Sequence, residues 1–196
     1  MHMCSTRSAR AARRGGFTII ELLMVVAIIS LIAAWALPKF SIARYRADAA
    51  GRLVRTLMQT AQRNAITRQS NVIVSFDLTN NRVRVVQDYN NNDTLNTNDL
   101  VQYRHLEEGA KYVTPTWAGV NGTTPASPVT GPSLRTVSGL ETVIFRRDGS
   151  TSSDVEVYLT TRDAVKTEYR AITAIAATGK TDLYKWNGST WLRMTQ

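Results

Sequence analysis

A single carboxylate, Glu21, stands inside an otherwise uninterrupted apolar run from Phe17 to Leu37. A carboxylate in the apolar part of a bilayer costs on the order of 2.5–3.5 kcal/mol on insertion scales, so it calls for a partner. In an assembly of helices, the terminal ammonium of a neighbour would neutralise it, whereas unpaired it would be costly. Glu21 therefore favours assembly over life as a lone anchor. Just upstream, Arg7, Arg10, Arg13 and Arg14 lead into Gly15-Gly16, which stand directly before Phe17. A plain membrane anchor explains neither the glycine pair nor the acid one turn into the run.

A second set of residues offers oxygen ligands. Counting from Asp88 as position 1, Asp88, Asn90, Asn92, Asn96 and Asp99 fall at positions 1, 3, 5, 9 and 12 of an EF-hand-like loop, with Leu95 at position 8. Calcium favours such carboxylate and amide oxygens. Against this, Asp93 occupies the place where the sharp turn takes Gly, Asp99 replaces the bidentate Glu, and the flanks read as strands. The other reading is an Asn/Asp-rich turn whose side chains satisfy their own backbone. A third set lies near the C-terminus, where Lys180, Lys185 and Arg193 interleave with Tyr184, Trp186 and Trp191. Cations can contact phosphates while rings stack on exposed bases, so the pattern suits DNA. Alternation along a hairpin explains the same aromatics as one buried face.

Catalytic constellations are scarce. His2 and Cys4 both precede Gly16, leaving His105 as the lone histidine beyond it and no cysteine. That composition rules out a Cys–His dyad, a multi-histidine zinc site and an internal disulfide in residues 17–196. No G-x-S-x-G motif is present, although composition leaves a Ser–His–Asp arrangement open. Thr178-Gly179-Lys180-Thr181 has the end of a phosphate-cradling loop without its upstream glycine. The expectation is a protein that is not an enzyme and has no cofactor, calcium aside.

The elements that position these residues follow from periodicity. The run from Phe17 is apolar all round. Beyond Pro38, apolar residues recur at Ala50, Leu53/Val54, Leu57/Met58, Ala61 and Ala65/Ile66, a spacing of three and four that marks one helix stripe. One helix is predicted from about Phe17 to Arg68, with a kink or break at Pro38. Val72–Leu78 and Arg82–Val86 flank Thr79-Asn80-Asn81 and read as a hairpin, because asparagine tolerates positive φ. Further strands are expected at Leu100–His105, Thr142–Arg147, Val155–Thr160 and Lys166–Ala174. A last hairpin joins Leu183–Trp186 to Trp191–Met194 through Asn187-Gly188. Residues 114–139 are rich in Pro, Gly, Ser and Thr and read as a long flexible surface loop. A helix followed by strands alone indicates an α+β fold, the helix packed on an antiparallel sheet.

The segment Gly15–Pro38 resembles the N-terminus of type IV prepilins and type II secretion prepseudopilins. The resemblance implies that residues 1–16 are a basic leader, cut between Gly16 and Phe17 by prepilin peptidase. Phe17 then becomes the N-methylated terminus, and Glu21, the fifth mature residue, pairs with the N-terminal amine of a neighbouring subunit. It also implies a transmembrane and assembly helix at 17–38, an amphipathic helix at 39–70 and a β-rich periplasmic domain at 71–196. A narrower likeness joins the chain to the H-type minor pseudopilins and the FimT-like minor pilins. It rests on Ala61–Arg68 running into Asn71-Val72, on Val143–Gly149, and on Ile172–Gly179. Some FimT-like minor pilins bind incoming DNA through a basic C-terminal region. This chain departs from that pattern, with Gly179-Lys180 followed by Asp182 in place of clustered arginines.

Charge agrees with a membrane-anchored subunit. The chain carries +9, but residues 69–196 hold equal numbers of basic and acidic side chains. The excess lies in the leader arginines and in residues 39–68, where Lys39 and six arginines face only Asp48. Its expected partners are anionic lipid headgroups of the inner membrane or neighbouring subunits. The arginines before Phe17 should stay cytoplasmic, which places the C-terminal domain in the periplasm. A conventional secretory signal fits poorly, since Trp35 and Leu37-Pro38 interrupt the small-residue pattern of Ala34 and Ala36. Two functions remain: a structural minor pilin or pseudopilin of a type II secretion pseudopilus or type IV pilus, and a DNA-binding minor pilin for DNA uptake.

Overall fold

The computed structural model describes residues 16–36, 42–162 and 164–195. The chain divides into two compact units, residues 1–41 and 42–196.

The first unit contributes helix α1, Ile19–Ala36. Thr18 sits just before it and accepts the Glu21 N–H on its Oγ1 at 3.3 Å, one half of a T-x-x-E capping box. Glu21 thus lies in the first turn, where a carboxylate also suits the positive end of the helix dipole. The 18 residues of α1 rise about 27 Å. Among the described residues no helix is long and apolar enough to cross a membrane. The expected span of 17–38 is therefore longer than the helix described. Pro38 and the expected kink there lie outside the described residues, as does most of the leader.

The second unit is built on helix α2, Ile42–Arg68. Its buried residues Ala47, Ala50, Gly51, Val54, Met58, Ala61 and Ala65 recur at three and four, as the stripe predicted. Eleven strands follow among the described residues, all paired antiparallel: β1 Asn71–Asp77, β2 Arg82–Asp88, β3 Leu100–His105, β4 Ala110–Tyr112, β5 Val129–Thr130, β6 Arg135–Val137, β7 Leu140–Phe145, β8 Val155–Thr161, β9 Arg170–Ala174, β10 Thr181–Trp186 and β11 Trp191–Arg193. They form two sheets, one ordered β3-β2-β1-β7-β6 and the other β11-β10-β9-β8-β4, with β5 also on β8. The fold is α+β.

The core lies between α2 and both sheets. Val54, Met58 and Ala61 meet Val74 and Phe76 of β1, Phe145 of β7, Val157 and Leu159 of β8, Ile172 of β9 and Leu183 of β10. Burying side chains of this size contributes roughly 1.5–3 kcal/mol each. Helix and sheet come close at Gly51, where a Cβ would stand 2.8 Å from Leu183 Cδ1. A smaller cluster of Ile73, Val86, Val137 and Ile144 covers the outer face of the first sheet. This second cover is why every residue of β1 is buried.

Two expectations are corrected. Residues 114–139, expected as a flexible surface loop, contain the short strands β5 and β6. The segment is pinned: Trp117 stacks on Trp186 at 5.0 Å and packs against Tyr169 at 4.8 Å. Trp191 Nε1 donates to Ala118 O at 2.9 Å, and Asn121 N donates to Glu156 Oε1 at 2.9 Å. The expected strand Lys166–Ala174 begins instead with a 3-10 turn, Lys166–Glu168, before β9.

Candidate functional site

The N-terminal residues owe little to packing. A Cβ placed at Gly16 meets nothing within 4 Å, so no contact in the described structure requires a glycine there. Phe17 is 85% exposed. Glu21 is exposed, and its carboxylate has no hydrogen-bond or ion-pair partner among the described residues. Around it α1 exposes Ile19, Ile20, Leu22, Leu23, Val25 and Val26, each more than half exposed. A helix apolar on every side needs lipid or other helices around it. The arrangement is a sticky helix with one acid near its start. Chemically it can insert and pair, and it holds no catalytic group.

The oxygen-rich segment Tyr89–Asp99 forms the β2–β3 connection, and its side chains serve its own backbone. Asp88 accepts the Asp93 N–H at 2.8 Å, Asn90 accepts the Asn92 N–H at 3.3 Å, and Asn92 accepts the Thr94 N–H at 3.0 Å. Asp99 accepts the N–H of Asn96 at 2.8 Å and that of Tyr89 at 3.4 Å. Asn91 and Asp93 sit at φ 56° and 60°, which curls the loop. Asp93 is also tied to Asn71 at 2.8 Å and to Arg135 at 2.9 Å. One oxygen, Asp88 Oδ1, is buried without a hydrogen-bond partner. Among the described residues no group of three or more Asp, Glu, His or Cys is placed to hold a metal ion.

The C-terminal cations are brought together by an acid that spacing alone did not single out. Asp182, buried on β10, accepts from Arg193 at 2.5 Å and lies 3.9 Å from Lys180. Lys185 is exposed on β10 and makes no ion pair among the described residues. Trp186 is buried, and Trp186 and Trp191 face one another across the β10–β11 register, 5.2 Å between centroids. The aromatics here are spent on covering the second sheet.

His105 stands exposed at the end of edge strand β3, opposite Arg82. Arg82 is bonded to Asp77 at 2.7 Å and its guanidinium lies over the Tyr103 ring at 4.3 Å. No nucleophile–base pair forms around this histidine among the described residues. Burial pushes the Asp77 carboxyl up, but hydrogen bonds from Asn80 and Arg82 outweigh it and hold the group below its ordinary range. Burial, with a hydrogen bond to Glu156, pushes the Tyr158 hydroxyl well up, so it stays a neutral donor.

Residues 11–37 match the family known as the prokaryotic N-terminal methylation motif. No curated protein matches the chain in sequence. Among solved structures, the chain is similar to the minor pseudopilin EpsH from the type II secretion system of Vibrio cholerae. One structure of EpsH aligns with 11% identity and a TM-score of 0.48, covering 74% of this chain and 99% of EpsH. A second, a crystal structure, aligns with 13% identity and a TM-score of 0.49, covering 74% and 98%.

Proposed function

We propose that this chain, which carries the prokaryotic N-terminal methylation motif, is a minor pilin or pseudopilin, a structural subunit of a type II secretion pseudopilus or type IV pilus. Prepilin peptidase cuts between Gly16 and Phe17, and the new amine of Phe17 is methylated. Glu21 then pairs with the N-terminal amine of a neighbouring subunit, and its apolar surroundings strengthen that pair. The apolar run from Phe17 holds the protein in the inner membrane, with the leader arginines cytoplasmic and residues 42–196 periplasmic.

The observation that carries this reading is the coincidence of three features at one site: the motif, a Gly16 that packing does not require, and an unpaired Glu21 on a wholly apolar helix. The intact mass of the protein made in a host with prepilin peptidase tests it. Loss of residues 1–16 and gain of one methyl group is the expected result, with the leader retained when Gly16 is replaced by a large residue. A Gly16 variant trimmed like the wild type would overturn the assignment. Glu21→Val should still enter the membrane but fail to join filaments.

DNA uptake is the lesser reading. It rests on Lys180, Lys185 and Arg193, of which Arg193 is paired with Asp182 and Lys180 lies 3.9 Å from the same carboxylate. Fluorescence anisotropy with duplex DNA over a salt series tests it. Micromolar binding that weakens steeply with salt would raise it to the leading function.

A further inference from the structure

Helix α2 carries Arg44, Arg46, Arg52, Arg55, Arg63 and Arg68 against a single acid, Asp48. That acid is taken: Arg170 Nε binds Asp48 Oδ1 at 2.6 Å. Among the described residues none of the six arginines makes an ion pair or a side-chain hydrogen bond. At 3.6 residues per turn, Arg44, Arg52, Arg55 and Arg63 fall within about 100° of arc and rise about 28 Å along the axis. This sector flanks the buried stripe: Arg44 and Arg55 border it beside Gly51 and Met58, and Arg52 and Arg63 stand farther from it. Arg44, Arg52 and Arg63 are exposed, and Arg55 is half-buried with an unpartnered Nε.

Four cations aligned on one face, whose one interleaved acid, Asp48, is already held by Arg170, repel one another and call for an acidic partner. We propose that this stripe docks an acidic helix face of a different subunit, with carboxylates recurring at spacings of eight, three and eight to meet Arg44, Arg52, Arg55 and Arg63. The proposal rests on the filament reading for the presence of neighbouring helices. A second copy of this chain does not fit, because it would oppose arginine to arginine. Asp77, Asp93 and Asp182 are already in ion pairs, and the exposed Glu107, Glu108, Asp148 and Asp154 lie on connections between strands, not at spacings of eight, three and eight along one helix. A membrane surface fits poorly as well. A helix lying on lipid presents large apolar residues all along its cations, whereas Tyr45 and Ile66 are exposed only at the two ends of this stripe and Thr56, Gln59 and Thr60 stand among or beside its middle. The partner's chemistry also makes the protein a subunit that mixes with others rather than one that polymerises alone.

The test uses the full chain in detergent micelles and two labelled synthetic helical peptides of equal composition. One carries glutamates at spacings of eight, three and eight on a single face, and the other disperses them around the helix. At about 0.15 M salt, the one-face peptide should bind at least about tenfold tighter than the dispersed one. Arg44→Gln/Arg52→Gln/Arg63→Gln should erase that preference without lowering the melting temperature, while Arg104→Gln on β3 should leave it intact. Equal binding of both peptides, or a preference that survives the triple substitution, would sink the proposal. So would tighter binding of duplex DNA or anionic vesicles through the same three arginines, which would reassign the stripe. Intact mass of the same samples keeps the two readings apart. A retained leader with selective peptide binding would end the filament reading and keep the stripe, and normal trimming without selective binding would do the reverse.

Discussion

Gln62 Nε2 donates to the carbonyl of Gly149 at 2.8 Å, and the same nitrogen reaches Thr178 O at 2.8 Å. One amide on α2 thereby fastens two turns that lie 87 and 116 residues further along the chain. The turns touch there: a Cβ on Gly179, whose φ is +61°, would stand 2.2 Å from Gly149 O. Gln62→Leu should cost about 1–3 kcal/mol, because two carbonyls lose their donor. In a domain of this size that lowers the melting point by about 2–4 °C per kcal/mol. Gly179→Ala should cost at least as much, from backbone strain and the clash together. Thermal melts of both variants check this, and an unchanged Gln62→Leu melt would refute the clamp.

Arg170 is nearly buried, and besides Asp48 it bonds the carbonyls of Thr167 at 2.9 Å and Tyr169 at 2.8 Å. Asp48→Ala leaves that cation short of its carboxylate. The acid is itself partly exposed, so the loss should be about 1–3 kcal/mol, below the range for fully buried pairs. Chemical denaturation measures it. Arg170→Met should restore part of the loss in the Asp48→Ala background, since no unpaired charge then remains.

Asp77 sets an acid-side dependence of stability. Its folded carboxyl titrates below the unfolded value of about 4, so its contribution is complete above about pH 4 and is lost as pH falls through the lower folded value. Asp77→Asn should be less stable at neutral pH by about 1–2 kcal/mol. Its melting temperature should also fall less steeply than that of the wild type below about pH 4. Parallel slopes for the two proteins would show that another group governs the acid limb.

Trp117 holds the segment between β4 and β5 onto the second sheet. Trp117→Ala should cost about 2–3 kcal/mol, somewhat under the range for fully buried tryptophans because the ring is half-buried. It should also open residues 114–128 to limited proteolysis. Resistance equal to the wild type would mean that the Trp191–Ala118 and Asn121–Glu156 bonds suffice.

Millimolar calcium should leave the melting temperature unchanged, because the oxygens of Asn90, Asn92 and Asp99 already serve N–H groups of their own loop. A rise in melting temperature abolished by Asp88→Asn would instead establish a site built on the unpartnered Asp88 Oδ1.

Much of the domain was legible from short-range signals. Asn81 adopts φ 47° between β1 and β2, and Gly188 adopts φ 107° between β10 and β11, as hairpin turns of those compositions predict. β3 runs over Leu100–His105 as its composition indicates. The short strands β4, β5 and β6 were not legible. Two or three residues show no alternation, and each strand exists only because β7 or β8 offers it an edge. Asp182 was equally hidden as the partner of Arg193. Eleven positions separate them, and only the register that sets Tyr184 opposite Arg193 brings the acid within reach.

What is expected of the N-terminus comes from the sequence alone. Gly16, Phe17 and Glu21 lie within six consecutive residues and are exposed, so their spacing along the chain already sets their spacing in space. Which charges remain unpaired was decided only by the tertiary structure. The cations of the C-terminal hairpin and those of α2 look alike in sequence. Folding gives Arg193 and Lys180 to Asp182 and gives Asp48 to Arg170, and it leaves Arg44, Arg52 and Arg63 facing outward. Ion pairs depend on a few ångströms of approach between distant segments, and only the register and the packing of helix on sheet supply that distance.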